Sequence, residues 1–155
     1  MRQGEKGSAM IEFVLSATLL AGFFTGIFQY GYAFYAYNVL VNAVRSGARY
    51  ASLRPHDSHS AVPSAAFQTA VQNMVVYGDP DPPRNAMPVL GGLTRSNVQL
   101  TVTGGPTGGS LVAPASVTVS ISRFQVNSIF SVLNLDGRPS LTFPYTGVLT
   151  PPRGS

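Results

Sequence analysis

Between Glu12 and Arg45 the chain runs for 32 residues, 13 to 44, without a charge, and the part from Phe13 to Phe28 is almost wholly apolar. About 20 residues at a rise of about 1.5 Å each cross a bilayer core, so this pattern predicts a membrane span. Tyr30, Tyr32, Tyr35 and Tyr37 follow at its far end. Amphipathic rings prefer the headgroup level, which sets the span at about Met10 to Tyr32. Helical spacing continues beyond the tyrosines through Val39, Leu40, Ala43, Val44, Ala48 and Ala51. Nothing breaks it before Arg54-Pro55, where proline disfavours helix in the residue before it. One helix from roughly Ala9 to Leu53 would be about 65 Å long, about twice what a membrane requires. Its second half must then be a stalk, the spine of a head domain, or both. Ala33, Ala36, Ala43, Gly47 and Ala48 keep one side slim, which suits close approach by neighbouring helices.

The pattern changes after Pro55. Pro63 followed by the stretch from Ser64 to Gly78 predicts a short amphipathic helix with Phe67, Val71, Met74 and Val75 as its apolar stripe. Residues 78–92 are rich in Gly, Pro and Asp and predict a long loop. Val98-x-Leu100-x-Val102 and Val117-x-Val119-x-Ile121 alternate as half-buried strands do, with the glycine-rich link from Gly104 to Gly109 between them. Phe124 to Leu135 is expected as a short helix with Val126, Ile129, Phe130 and Leu133 on one side. Asp136-Gly137-Arg138-Pro139 reads as a turn, and Leu141-x-Phe143 with Tyr145 as a third strand. The expected fold is α+β and pilin-like: a long N-terminal membrane-spanning helix extending into a small head with a short helix and an antiparallel sheet of about three strands. The expected organisation is a polar leader (1–7), the long helix (8–53, about 10–32 in the membrane), the head (54–149) and a loose tail (150–155).

Composition narrows the function classes. Charged residues make up only 10% of the chain, against roughly 25% in soluble globular proteins, so much of the surface must meet lipid, partners or uncharged polar groups. The net charge is +4, but the basic residues are scattered from Arg2 to Arg153, and phosphate binding needs a focused basic surface. Nucleic acid is therefore not an expected partner. Cysteine is absent, which excludes disulfides, thiolate metal sites and cysteine nucleophiles. His56-Asp57-Ser58-His59 invites a metal reading, but no fourth ligand is evident, and a Ser-rich loop is the plainer account. No paired carboxylates, phosphate-cradling loop or nucleophile elbow is present, so neither catalysis nor a cofactor is expected.

The start of the chain carries the most specific chemistry. Met1-Arg2-Gln3-Gly4-Glu5-Lys6-Gly7 is a short basic leader placed directly before the apolar segment. An ordinary signal peptide has a shorter apolar region with its cleavage site after it; here the candidate cleavage point, between Gly7 and Ser8, lies before it. Glu12 falls in the first turns of the membrane helix, where an unpaired carboxylate is costly and points to a partner. One reading leaves it wet at headgroup depth. Another pairs it with the new amine of Ser8 on a neighbouring copy. Gly22-x-x-x-Gly26 permits close packing of membrane helices, although glycine is common in such spans. Arg45 and Arg49 share one helix face. They would meet anionic headgroups, carboxylates of a neighbouring subunit or of the head (Asp57, Asp79, Asp81, Asp136), or solvent alone.

These residues together resemble the class III type IV prepilins, specifically the TadE-like minor pseudopilins of the tight-adherence (Flp) pilus system. Gly7 matches the family's cleavage glycine, Ser8 would be the first mature residue, and Glu12 falls on the fifth mature position, where the family has glutamate. Ser8-Ala9-Met10-Ile11-Glu12-Phe13 is similar to the family's opening. Phe28-Gln29-Tyr30-Gly31 and the stretch from Asn38 through Asn42-Ala43, Arg45 and Gly47-Ala48-Arg49-Tyr50-Ala51 resemble its distal helix motif. The family's mid-helix proline is missing; Ala17 or Thr18 stands about there. The resemblance, covering roughly residues 6–52, implies cleavage by a prepilin peptidase and retention in the bacterial inner membrane by a single span. Lys and Arg on both sides of the span leave the orientation open, and the resemblance places the head outside the cytoplasm. Implied partners are other pilins or pseudopilins, the inner-membrane assembly platform and membrane lipid. The implied role is a minor subunit in pilus assembly, initiation or surface adhesion, since major subunits of this class are usually much smaller, often little more than the helix. Two alternatives stand beside it: a single-span protein whose head binds an envelope or surface ligand without entering a fibre, and a type II secretion pseudopilin.

Overall fold

The computed structural model describes residues 3–55, 62–104, 114–127 and 132–147. The His56 to Ser60 stretch, the link from Gly105 to Gly109 and the tail from Thr150 lie outside the described residues.

One helix, α1 (Gln3–Leu53), spans 51 residues, about 76 Å at the α-helical rise. It begins six residues before the expected Ala9. Gln, Glu and Lys are good helix formers, and isolated glycines such as Gly4 and Gly7 weaken a helix without stopping it. The helix therefore passes without a break through the candidate cleavage point between Gly7 and Ser8. The hydroxyl of Thr18, near where the resembled family has proline, donates to the Val14 carbonyl oxygen at 2.8 Å, a bond that satisfies it inside an apolar helix.

The second half of α1 is the spine of the head. Ala36, Leu40, Ala43, Val44, Ala48 and Ala51 are buried along one side, at the three- and four-residue spacing that makes a single stripe. Across it lies α2 (Ala65–Tyr77). Ser64 caps its start by accepting from the Phe67 N–H at 3.1 Å. Gly78 ends it in the left-handed conformation (φ 75°), its N–H donating to the Met74 carbonyl oxygen at 3.1 Å, as helix C-terminal caps do. A methyl group at Gly47 would overlap Cγ2 of Val75, so the bare α-carbon there sets how closely the two helices approach. At Ala43 and Gly47 the slim side of α1 thus meets the chain's own second helix. On α2 the buried residues include Phe67, Val71 and Val75 as expected; Asn73 and Val76 are also buried, while Met74 is only half-buried.

Three strands form an antiparallel sheet in the order β1 (Val98–Thr103), β2 (Ser116–Ile121), β5 (Ser140–Pro144). Val119 stands between Leu100 and Leu141 in register. Val117, Val119 and Ile121 point into the core as the period-two alternation requires. The segment expected as a helix, Phe124 to Leu135, instead supplies β3 (Phe124–Asn127) and β4 (Val132–Leu135), an antiparallel pair forming a second sheet; Ile129 and Phe130 of the expected apolar side lie outside the described residues. The same apolar residues fit either period. Tertiary burial decides: Phe124 and Val126 alternate inward while Gln125 and Asn127 face out, and Phe124, Val126 and Leu135 join the core. The stretch 78–92 contains no helix or strand, as expected, yet it is tied down. Val89 N–H donates to the Val76 carbonyl oxygen at 2.8 Å, Asn73 Nδ2 donates to the Pro80 carbonyl oxygen at 3.1 Å, and Leu90 is buried.

The C-terminal end of α1 is capped from far along the chain. Thr146 N–H donates to the Ser52 carbonyl oxygen at 3.0 Å, and Tyr145 Oη donates to the Arg54 carbonyl oxygen at 2.7 Å. These partners occupy carbonyls that a helix end leaves without internal donors. Arg54 closes over the joint: its guanidinium donates to Tyr50 Oη at 2.6 Å and lies 5.7 and 5.6 Å from the ring centres of Tyr50 and Phe67.

Candidate membrane and assembly surface

The head covers only the distal part of α1. No residue from Gly7 to Tyr35 is buried, and the first buried position is Ala36. Phe13 is 73% exposed, Ile27 70% and Phe34 67%. A soluble monomer rarely leaves contiguous apolar patches above a few hundred Å² uncovered. An apolar helix surface of this length has to be covered by lipid or by other helices.

The sequence-selected residues are strung along this surface. Gly7, Ser8 and Glu12 are exposed near its start, and the Glu12 carboxylate has no ion-pair partner among the described residues. Ser8, Glu12, Leu19 and Gly26 lie within about 40° of one another around an ideal helix of 3.6 residues per turn. Gly22 and Gly26 have open space where a Cβ would stand. Together with Leu19, Phe23, Ile27 and Tyr30 they line a shallow apolar depression. The glycine pair is thus open at the surface, in contrast to Gly47, which α2 already occupies.

Arg45 and Arg49 are exposed, on the side of α1 that the head does not cover. Neither guanidinium makes an ion pair with a described residue. Of the acidic residues of the head, Asp136 accepts from the Arg123 N–H at 3.0 Å and Asp79 from the Asp81 N–H at 2.9 Å. Both carboxylates stabilise turns of the head. Asp57 lies outside the described residues.

A second apolar feature escaped the sequence pattern. Val132 and Leu133 of β4 stand beside Gln29, Tyr30, Ala33, Phe34 and Tyr37 of α1 around a cavity of about 370 Å³. It adjoins the depression at the glycine pair through Tyr30. A helical reading of Phe124 to Leu135 turns Leu133 toward the core, which is why the pattern concealed it. Among the described residues no group of three or more His, Asp or Glu is placed to hold a metal ion.

Residues 7–49 match the sequence profile of the family described as TadE-like protein, consistent with a TadE-like protein of the tight-adherence pilus system. The matched stretch begins at the candidate cleavage glycine and covers nearly all the remainder of α1. No curated protein and no solved structure matches the chain at a significant level. The family is a pilus component and not a known enzyme family, and it suggests a pilus-associated protein. With one long apolar N-terminal helix, the chain fits a single-pass membrane protein.

Proposed function

We propose, from the TadE-like character of residues 7–49, that the protein is a minor pilin or pseudopilin processed by a prepilin peptidase between Gly7 and Ser8. The observation that carries this reading is Gly7 followed five positions later by Glu12, at the head of an apolar helix face that the protein's own head leaves uncovered. Cleavage removes the basic leader and creates an amine at Ser8. In an assembly, that amine on one copy neutralises Glu12 on the next, which removes the penalty of an unpaired carboxylate at the membrane surface. The Gly22/Gly26 depression takes the neighbouring helix, and Arg45 and Arg49 face anionic groups of an adjacent subunit or of lipid. A folded head on the helix supports a role in priming, initiation or adhesion in preference to forming the bulk of a fibre.

The test is the intact mass and N-terminal sequence of the protein isolated from its native membrane. A chain starting at Ser8 is expected. One starting at Met1 overturns the processing step and returns the reading to a single-span protein whose head binds a surface or envelope ligand.

A further inference from the structure

We infer that the β3–β4 hairpin is a second membrane contact, its outer strand resting in the lipid interface beside α1. The inference rests on the reading of α1 as a membrane span, and three features support it: depth, polarity and continuity.

The first is depth. Val132 and Leu133 share a cavity with Tyr30, Phe34 and Tyr37, so they stand at the level of α1 where the almost wholly apolar stretch gives way to tyrosines. Interfacial tyrosines mark the headgroup region. About 20 helical residues from Met10, enough to cross the hydrocarbon core, end at Tyr30. The hairpin therefore projects from the head back toward the membrane boundary.

The second is polarity along the hairpin. Its base carries the charges: Arg123 and Asp136 flank the pair, and Phe124 and Leu135 are buried there. Toward its other end the described residues are uncharged, and Val132 (58% exposed) and Leu133 (38%) offer apolar surface. Entering the interface with that end desolvates no ionised group among the described residues, and burial of apolar area contributes roughly 25 cal/mol per Å².

The third is continuity. The cavity under β4 joins the exposed apolar face of α1 through Tyr30 and Phe34, each about two-thirds exposed. Lipid that solvates α1 up to Tyr30 meets Val132 and Leu133 across a mostly apolar lining in which Gln29 and the hydroxyls of Tyr30 and Tyr37 are the polar groups. The occupant of the cavity is accordingly lipid of the leaflet nearest the head.

The absence of cysteine makes the test direct. Leu133→Cys, Phe23→Cys and Thr101→Cys variants of the full chain, each carrying a nitroxide label, are reconstituted in phosphatidylcholine vesicles. Collision with oxygen, which concentrates in lipid, is compared with collision with a water-soluble nickel chelate. The Phe23 label reports the span itself, and Thr101 is exposed on β1. The ratio of oxygen to nickel accessibility at position 133 is expected to be severalfold above that at 101 and to approach that at 23. A ratio at 133 equal to that at 101, with 23 in lipid, overturns the hairpin contact and leaves the span intact. Shielding of 133 from both reagents means that protein covers the cavity, which also overturns it. A water-accessible label at 23 defeats the span reading and this inference together.

Discussion

The Tyr145 hydroxyl donates to the carbonyl oxygen of Arg54 at 2.7 Å, joining residues 91 positions apart, and so ties the strand that completes the sheet to the end of the long helix. Gly147 lies against this bond: a Cβ there would stand 2.6 Å from both the Arg54 carbonyl oxygen and Tyr145 Oη. Tyr145→Phe removes the donor and is expected to lower head stability by about 1 kcal/mol, or about 5 °C in Tm for a domain of this size. Gly147→Ala forces the two oxygens apart and is expected to cost at least as much, about 1–3 kcal/mol. Thermal melts of the detergent-solubilised full chain, followed by near-ultraviolet circular dichroism, measure both. An unchanged Tm in Gly147→Ala would show that the joint does not hold the head.

Gly47 and Gly22 have opposite surroundings, and that contrast is testable. Gly47→Val drives a branched side chain into Val75 and is expected to destabilise the head by about 1–3 kcal/mol. Gly22→Val meets open space and should leave the same melt unaltered while reducing association between chains in bilayers, measured by energy transfer between labelled copies. Equal melts for the two variants would contradict the assignment of Gly47 to the internal helix contact.

At the processing site, Gly7→Leu is expected to leave the seven-residue leader attached. Intact mass spectrometry of the membrane-extracted protein separates the two lengths. Normal trimming of the variant removes Gly7 from the site.

Glu12→Ala is expected to insert into the membrane as the parent chain does and to co-isolate less with other pilus components. Carbonate extraction reads the first property and quantitative pull-down the second. Undiminished co-isolation excludes the carboxylate from assembly.

The elements most legible in the sequence were those whose pattern is local. The long helix, α2 with its end at Gly78, and β1, β2 and β5 all follow from spacing and end signals, although α2 starts at Ala65 under a Ser64 cap, with Pro63 before the cap and outside the first turn. The stretch from Phe124 to Leu135 is ambiguous in sequence because its apolar residues satisfy both periods, and only contact with the core distinguishes them. Leu90 disappeared into a Gly- and Pro-rich stretch because what buries it is a bond between distant backbones, Val89 to Val76. At the candidate site, Gly7, Ser8 and Glu12 were readable as a linear motif. The separate fates of Gly22 and Gly47 were not, since small residues announce close approach without naming what approaches. The neighbourhood of Leu133 and Phe34 depends on the path of a hairpin that the sequence did not reveal.

The unbroken course of α1 makes the span and the head a single lever. From Tyr35 to Leu53 the helix extends about 27 Å with no proline and with its end clamped by Arg54, Tyr145 and Thr146. On the reading of α1 as a membrane span, a change of about 20° in its tilt, within the ordinary range for such helices, would swing the Leu53 end of α1 by about 9 Å. On that reading, a tilt of the helix is delivered to the head as a displacement of the joint that Arg54, Tyr145 and Thr146 form.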